Sequence, residues 1–181
     1  MPRIEPVDAE KADAKANELL AAVQADCGMT PNIIRTLAHS PAALEAYLGF
    51  NKALGCGVLS GELREQIALA VAEVNGCDYC LAAHSAIGRS VGLSRDAIAD
   101  SRRGVSPQRK VRAALAFARQ MVQQRGWVRN GDLTQLRDAG YGDREIVEIV
   151  AHVAMSVFTN YFNHVAGTEL DFPKVPELAG V

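Results

Sequence analysis

Aromatic residues are scarce in this chain, at 6% of 181 positions, and no apolar run approaches the roughly 20 residues that a membrane-crossing helix needs. The opening stretch MPRIEPVDAEKADAK has no apolar segment between a basic start and a small-residue cleavage site, so it does not read as a secretion signal. An excess of charge of one sign is missing too: 19 Lys and Arg stand against 21 Asp and Glu, a formal net charge of −2. So small a charge, with no basic stripe interleaved with aromatics, exerts no long-range pull on nucleic acid or an anionic membrane. There is no Gly-rich phosphate loop, so neither a nucleotide nor a flavin is implied. These absences leave a soluble, cytoplasmic protein with no nucleic-acid or membrane partner as the expectation.

What is present favours helices. The apolar fraction is 49%, ample for a core, and it is built from Ala and Leu rather than from β-branched and aromatic residues. No stretch alternates apolar and polar residues for more than a few positions. The expected fold is all-α, as one domain over residues 1–181, a length that rarely divides. A first helix is expected over 8–25, opened by an acidic turn and broken by Gly28. A second follows Thr30-Pro31-Asn32, with Pro31 in the favoured first turn, and stops before Pro41. A third runs from Pro41 to Gly55. Ser60 caps a fourth, whose Leu63, Ile67, Ala70, Val71 and Val74 form an apolar stripe at helical spacing. Asn75-Gly76 ends it, and a fifth spans about 78–90. A short sixth starts at Ser94, and 101–106 reads as a polar loop. A seventh opens at Ser106-Pro107, an eighth covers 131–138, and a long ninth is capped by Asp143. The ninth stays helical through Val157–Phe162 despite its aromatics. The tail from Pro173, with Pro176 and Gly180, is expected on the surface or on a neighbouring subunit.

A weak internal repeat runs through this pattern. REQIALAVAEVNGCDYCLAAH from Arg64 and REIVEIVAHVAMSVFTNYFNH from Arg144 align without gaps. Glu65 then meets Glu145, and His84 meets His164, while Val157 and Asn160 occupy the places of Cys77 and Cys80. Two helical pairs of like pattern would point to a duplication in which one copy kept a thiol site.

The chemistry concentrates at Cys77-Asp78-Tyr79-Cys80. In a chain of this size without a leader, a close cysteine pair is catalytic or metal-binding more often than structural. Cys77 falls at the start of a helix, where a partial charge of roughly +0.5 and unpaired N–H groups stabilise a thiolate. Residues three apart share a face, so the two sulfurs can meet as a disulfide. His84, one turn beyond Cys80, shares that face and can take and return protons. Glu65 lies twelve residues before Cys77 on the preceding helix. If the helices fold back at Asn75-Gly76, it can orient the imidazole. The helix-terminus argument makes Cys77 the more acidic thiol, and the position of His84 argues for Cys80.

Plainer roles compete for each residue. The cysteines are small enough to be core filling. Together with His84 and Glu65 they offer a rival zinc site, although no second Cys/His pair completes the usual structural set. Glu73 is expected to face solvent or a subunit contact. His152 and His164 are expected to be packed and hydrogen-bonded, and Cys27 and Cys56 inert and half-buried. Trp127 and the AFARQM stripe read as core. Phe158, Tyr161 and Phe162 are candidates either for an apolar substrate pocket or for subunit packing.

The array Glu65, Cys77, Cys80, His84, with the phrases LREQIALAVAEVNGCDYCLAAHSAIG and FTNYFNHVAGTELDFP, resembles the alkylhydroperoxidase D branch of the carboxymuconolactone decarboxylase-like family, over roughly 31–173. The resemblance implies an all-α fold and homo-oligomers, trimeric or hexameric. It implies reduction of organic hydroperoxides by a CxxC dithiol, with Cys80 attacking the peroxide and Cys77 resolving the sulfenic acid as a disulfide. No metal or organic cofactor is implied. An external dithiol, from a lipoyl protein or a thioredoxin-like donor, would reduce the disulfide. The best-known peroxidase members carry a histidine just before the second cysteine. Tyr79 stands there in this chain, a candidate substrate contact that donates a hydrogen bond but cannot buffer a proton near pH 7. The family's other branch, decarboxylation of a muconolactone, needs acid/base groups and a carboxylate-binding pocket but no dithiol. A non-enzymatic redox switch is the remaining alternative.

Overall fold

A computed structural model describes residues 1–8 and 11–178; among them lie nine α-helices and no strand. They are α1 (Ala14–Cys27), α2 (Asn32–Leu37), α3 (Pro41–Gly55), α4 (Gly61–Asn75), α5 (Asp78–Ser90), α6 (Arg95–Arg103), α7 (Arg109–Gln123), α8 (Asn130–Asp138) and α9 (Asp143–Ala166). Local chemistry sets most of the boundaries. The hydroxyls of Ser40, Ser60 and Ser94 accept the backbone N–H of Ala43, Leu63 and Ala97, which fixes the starts of α3, α4 and α6.

Helix α4 is the axis of the molecule. It packs against α5, α6, α7 and α9, and every residue from Gln66 to Ala72 is buried. Ala68, Ala70 and Ala72 keep its girth small, so neighbours can approach on all sides. One core cluster joins Leu69 and Ala72 to Leu20, Ile34, Leu44 and the α5 residues Cys77, Tyr79, Cys80 and Leu81. The other joins Ile67 and Val71 to Leu115, Phe117, Leu136, Ile149 and Val153. The first cluster therefore carries the dithiol.

Several expectations are corrected. The first helix begins at Ala14 rather than near residue 8, because Asp13 caps it by accepting Ala16 N–H at 2.7 Å. Ala9 and Glu10 of the expected acidic turn, and Gly180 of the tail, lie outside the described residues. Pro31 is the N-cap of α2, and Asp143 is the first residue of α9 behind an N-cap at Gly142. Residues Ser101 to Arg103 are helical rather than loop, and Arg102 is buried. Its guanidinium meets the Glu73 carboxylate at 2.6 Å and donates to Pro176 O at 2.9 Å. Glu73 is thus an intramolecular anchor rather than a solvent-facing residue. The tail from Pro173 does lie on the surface, with Pro173, Lys174, Pro176 and Glu177 exposed, while Phe172 and Val175 pack against the dithiol cluster of their own chain. Trp127 is 85% exposed, since it follows α7 in the Arg125-Gly126 turn and faces away from the core. Cys27 and Cys56 are exposed.

The internal repeat does not extend to structure. Its first copy is two helices broken at Gly76, whereas its second is the unbroken α9, which has Met155-Ser156 where the first has Asn75-Gly76. Glu145 consequently sits in the first turn of α9, bonded to Lys110 and Gly142, far along the helix from His164. His164 binds Asn75 O at 3.0 Å.

Candidate active site

Gly76 closes α4 with φ +63, a left-handed conformation that glycine adopts without cost, and the chain reverses within two residues. Cys77 then becomes the N-cap of α5, its sulfur accepting Cys80 N–H at 3.4 Å. The reversal lays α5 back along α4, so Glu65 reaches His84: Oε2 lies 2.8 Å from Nδ1. All four residues of the sequence motif are thereby brought together. Cys77 and Cys80 are buried and not bridged, and His84 and Glu65 keep modest exposure.

The electrostatics separate the two thiols. The Cys80 thiol is brought down to about 6, first by the hydrogen bond with Cys77. Burial opposes this, and the charge of His84 and the amides of Asn163 and Asn160 favour the thiolate further. Asn163 Nδ2 donates to Cys80 Sγ at 3.2 Å. Cys77 moves the opposite way: its thiol is raised, chiefly because it donates to Cys80 and also because it is buried. Burial alone would lower His84, but the charge and hydrogen bond of Glu65, with the Cys80 sulfur beyond, raise it overall. These shifts favour the thiolate at Cys80 and a proton on Cys77 and on His84. The helix-terminus argument that favoured Cys77 is outweighed because Cys80 is favoured by the Cys77 hydrogen bond, the His84 charge and the Asn163 amide together.

Asn160 and Asn163 were not among the sequence candidates. They are buried on α9, and Asn160 Oδ1 accepts Asn75 Nδ2 at 2.8 Å, tying α9 to the end of α4. The one signal for them was the repeat alignment, which set Asn160 opposite Cys80.

Tyr79 points away from the thiols. It is buried, its hydroxyl accepts Ile33 N–H at 3.3 Å, and its ring packs edge-on against Phe172. Burial raises its phenol well above the ordinary value, so it stays neutral and structural. The inter-cysteine side chain therefore locks α2 and the tail against α5. Phe158 and Tyr161 are largely exposed, and Phe162 packs on the dithiol cluster. None of the three lines the cavity beside His84.

That cavity, about 220 Å³, is built from one face of each of four helices. Helix α3 supplies Tyr47 and Asn51, α4 Arg64, Glu65 and Ala68, α5 His84 and Ile87, and α9 His152, Ser156 and Thr159. The spacings of three and four residues keep each set on its helix's inner face. A larger depression of about 590 Å³, near Leu59, Lys110 and Tyr141, touches none of the motif residues. Among the described residues no group of three His, Cys, Asp or Glu side chains is arranged to hold a metal ion. No helix among them is long and apolar enough to cross a membrane.

Comparison with known proteins agrees with this geometry. Residues 41–124 match the model of the carboxymuconolactone decarboxylase family. An uncharacterized peroxidase-related protein of Ralstonia eutropha JMP134, described as an alkylhydroperoxidase AhpD core, superposes with a TM-score of 0.83 at 27% identity, over 94% of this chain and 92% of that one. A peroxidase-related protein of Silicibacter sp. TM1040 gives 0.81 at 26% identity, over 92% of each chain. The fold is also that of the debrominase Bmp8, solved as a cysteine-to-alanine variant with 2,3,4-tribromopyrrole (TM-score 0.80, 22% identity, 93% and 91% covered). No curated protein matches the chain.

Proposed function

We propose, from the match of residues 41–124 to the carboxymuconolactone decarboxylase family and from the alkylhydroperoxidase D-like fold, that the protein is a thiol-dependent peroxidase acting on organic hydroperoxides. The observation that carries this reading is the asymmetry of the dithiol: a Cys80 thiolate supported by Asn163 and a protonated Cys77, with Glu65–His84 one turn away. Thiolate, not thiol, is the nucleophile. Cys80 attacks the terminal oxygen of the hydroperoxide; an S–O bond forms, the O–O bond breaks, and the alkoxide takes the His84 proton to leave as an alcohol. The Cys77 sulfur then displaces hydroxide from the Cys80 sulfenic acid, forming the disulfide, and the Cys77 proton completes a water molecule. An external dithiol, from a lipoyl protein or a thioredoxin-like donor, reduces the disulfide, and the regenerated Cys80 thiol returns its proton to His84. Glu65 holds the imidazolium in place throughout.

The test is one equivalent of an organic hydroperoxide added to the reduced protein, followed by peptide mass mapping. A stoichiometric Cys77–Cys80 disulfide is expected, with a trappable sulfenic acid on Cys80 in Cys77→Ser. Thiols that survive the treatment would refute the peroxidase reading and bring forward decarboxylation, which needs no dithiol.

Self-association belongs to the same proposal. Val147, Val150, Phe158, Tyr161 and Val165 expose a stripe of α9 at successive spacings of three, eight, three and four residues, one face of the helix. The protein is expected to sediment as a trimer or hexamer, and Val165→Asp to shift it toward monomer. A monomeric wild-type protein at micromolar concentration would remove this part of the proposal.

A further inference from the structure

Two surface features have no part in peroxide reduction. The first is Trp127, the single tryptophan of the chain, which is 85% exposed. It does not hang loosely. Trp127 N–H donates to Gln124 O at 3.0 Å, Gly126 N–H donates to Met121 O at 2.8 Å, and Val128 packs on the core beside them. Arg125 holds φ +53, a left-handed conformation that is costly for a residue other than glycine and persists only where its surroundings impose it. The indole therefore stands on a fixed turn, between the exposed Arg125 and Arg129. Neither guanidinium forms an ion pair among the described residues, and the nearest carboxylate in sequence, Asp132, accepts the backbone N–H of Arg129. Tryptophan and arginine are the residues that most often dominate the energy of a protein contact.

The second feature is the hollow of about 590 Å³ at the opposite end of α7, where Leu59, Leu63, Leu93, Val105 and Val111 give an apolar lining. Gln66 lines it too, at 8% exposure, and its amide has no hydrogen-bond partner among the described residues. That amide is not sealed in the core, so a group entering the hollow can reach it. A nearly buried amide left unpaired is costly, and a donor brought from outside relieves it. The charges of the wall are Glu62, Asp100, Glu145 and Lys110. Lys110 is engaged by Glu145 at 2.8 Å, and Arg112, one turn into α7, is directed to Ser106 O at 2.8 Å. Asp100 has Arg103 only at 3.8 Å, both side chains being 40% exposed, and Glu62 has no cationic partner among the described residues. The hollow is thus apolar inside and offers carboxylates at its edge.

Knob and hollow lie at the two ends of α7, whose 15 residues span about 22 Å, so Trp127 cannot fill the hollow of its own chain. We infer that the hollow is the seat for Trp127 of a second copy of this chain, in a head-to-tail contact. The indole buries its rings against the leucines and valines, and its N–H, which is a donor only, pairs with the open Gln66 amide oxygen. Arg125 and Arg129 on either side of it meet Glu62 and Asp100. A contact between two different patches relates each copy to the next by rotation and closes as a ring. The apolar stripe of α9 is a separate surface that can pair with itself across a two-fold axis, which doubles a ring of three to a hexamer. The inference rests on the self-association proposed above and specifies one of its contacts; it does not rest on the peroxidase reading.

With one tryptophan in the chain, fluorescence reads the contact without any substitution. Where the protein sediments as an oligomer, its emission should lie to the blue and resist acrylamide, and both properties should be lost on dilution to the monomer. Trp127→Ala, a change at an exposed position, should weaken association about tenfold or more. An oligomer whose indole is quenched as readily as tryptophan in water overturns the inference and leaves the α9 contact standing. A protein that stays monomeric at micromolar concentration removes both. The seat itself is tested by cross-linking in a Cys27→Ser, Cys56→Ser background, which lacks the exposed thiols. One chain carries Arg129→Cys beside the knob and another carries Val105→Cys in the wall of the hollow. Disulfides between chains should form in the mixture and in neither protein alone. Absence of the mixed disulfide, or cross-linking of the Arg129→Cys chain to itself, overturns the hollow as the seat even if the indole is buried.

Discussion

Iodoacetamide will alkylate Cys80 with a pH midpoint near about 6, well below the 9.0 of an ordinary cysteine thiol, and Cys77→Ala will raise that midpoint. The sign follows from the depressed pKa. Thiolate is present above pH 6 and lost as pH falls through it, so reactivity has its ascending limb there. The strongest support for the thiolate is the Cys77 hydrogen bond. Hydrogen bonds to charged groups contribute about 1.5–3 kcal/mol, and about 1.4 kcal/mol corresponds to one pH unit, so the midpoint in Cys77→Ala rises by about one to two units. Cys77→Ser, which retains a donor, keeps most of the depression. Asn163→Leu, which removes one of several donors, has a smaller effect in the same direction. Because His84 is raised, its proton is also held over a wider range. Peroxide turnover should therefore be bell-shaped, falling on the alkaline side as His84 deprotonates, and Glu65→Gln should move that descending limb to lower pH. An unchanged alkylation midpoint in Cys77→Ala would show that the pair does not share a proton in the way described.

Arg102→Met should be the most destabilising single surface-distant change outside the apolar core. The Arg102 side chain is 6% exposed and its Glu73 partner 25%. Removing the guanidinium strands a mostly buried carboxylate and also frees Pro176 O, which holds the tail. Breaking a buried pair costs about 3–5 kcal/mol, and partial exposure of Glu73 reduces this to about 2–4 kcal/mol. The double change Arg102→Met with Glu73→Met should recover much of the loss, because the uncompensated charge is then gone. Denaturant midpoints of the two variants read this directly. If Arg102→Met melts with the wild-type protein, the pair is not an anchor. Tail release should appear separately as faster proteolysis after Phe172, since the tail's remaining hold includes Asn32 N–H on Asp171 at 2.5 Å and Asn32 Nδ2 on Glu169 O at 3.1 Å.

The helices and the motif were legible because the interactions that make them are local. Ser60 caps α4, Ser94 caps α6, and Gly76 reverses the chain, each through contacts within five residues. The registers that align Cys77, Cys80 and His84, and that return Glu65 to them, follow from the same turn and from 3.6-residue periodicity. Hence the all-α class and the four-residue array could be read from the chain alone. Errors arose where a segment's fate depended on its neighbours. Ser101-Arg102-Arg103 looked like polar loop because three polar residues rarely enter a core; the helix runs on to its cap at Gly104, and Glu73, distant in sequence, takes Arg102 into a buried ion pair. Trp127 looked like core because of its size, and only the turn after α7 turns it outward.

The sequence by itself determined where the sulfurs sit on their helix and that a histidine and a carboxylate accompany them. Only the tertiary structure brings Asn163, 83 residues from Cys80, against its sulfur, where the amide lowers that thiol further than Cys77 and His84 do by themselves; its place there depends on how α9 packs against α4 and α5. Helix-to-helix rotation is set by packing over the whole core, and no spacing along the chain encodes it. For the same reason the cavity with Arg64 and His152 could not be read from either residue alone, since it exists only where four helix faces converge.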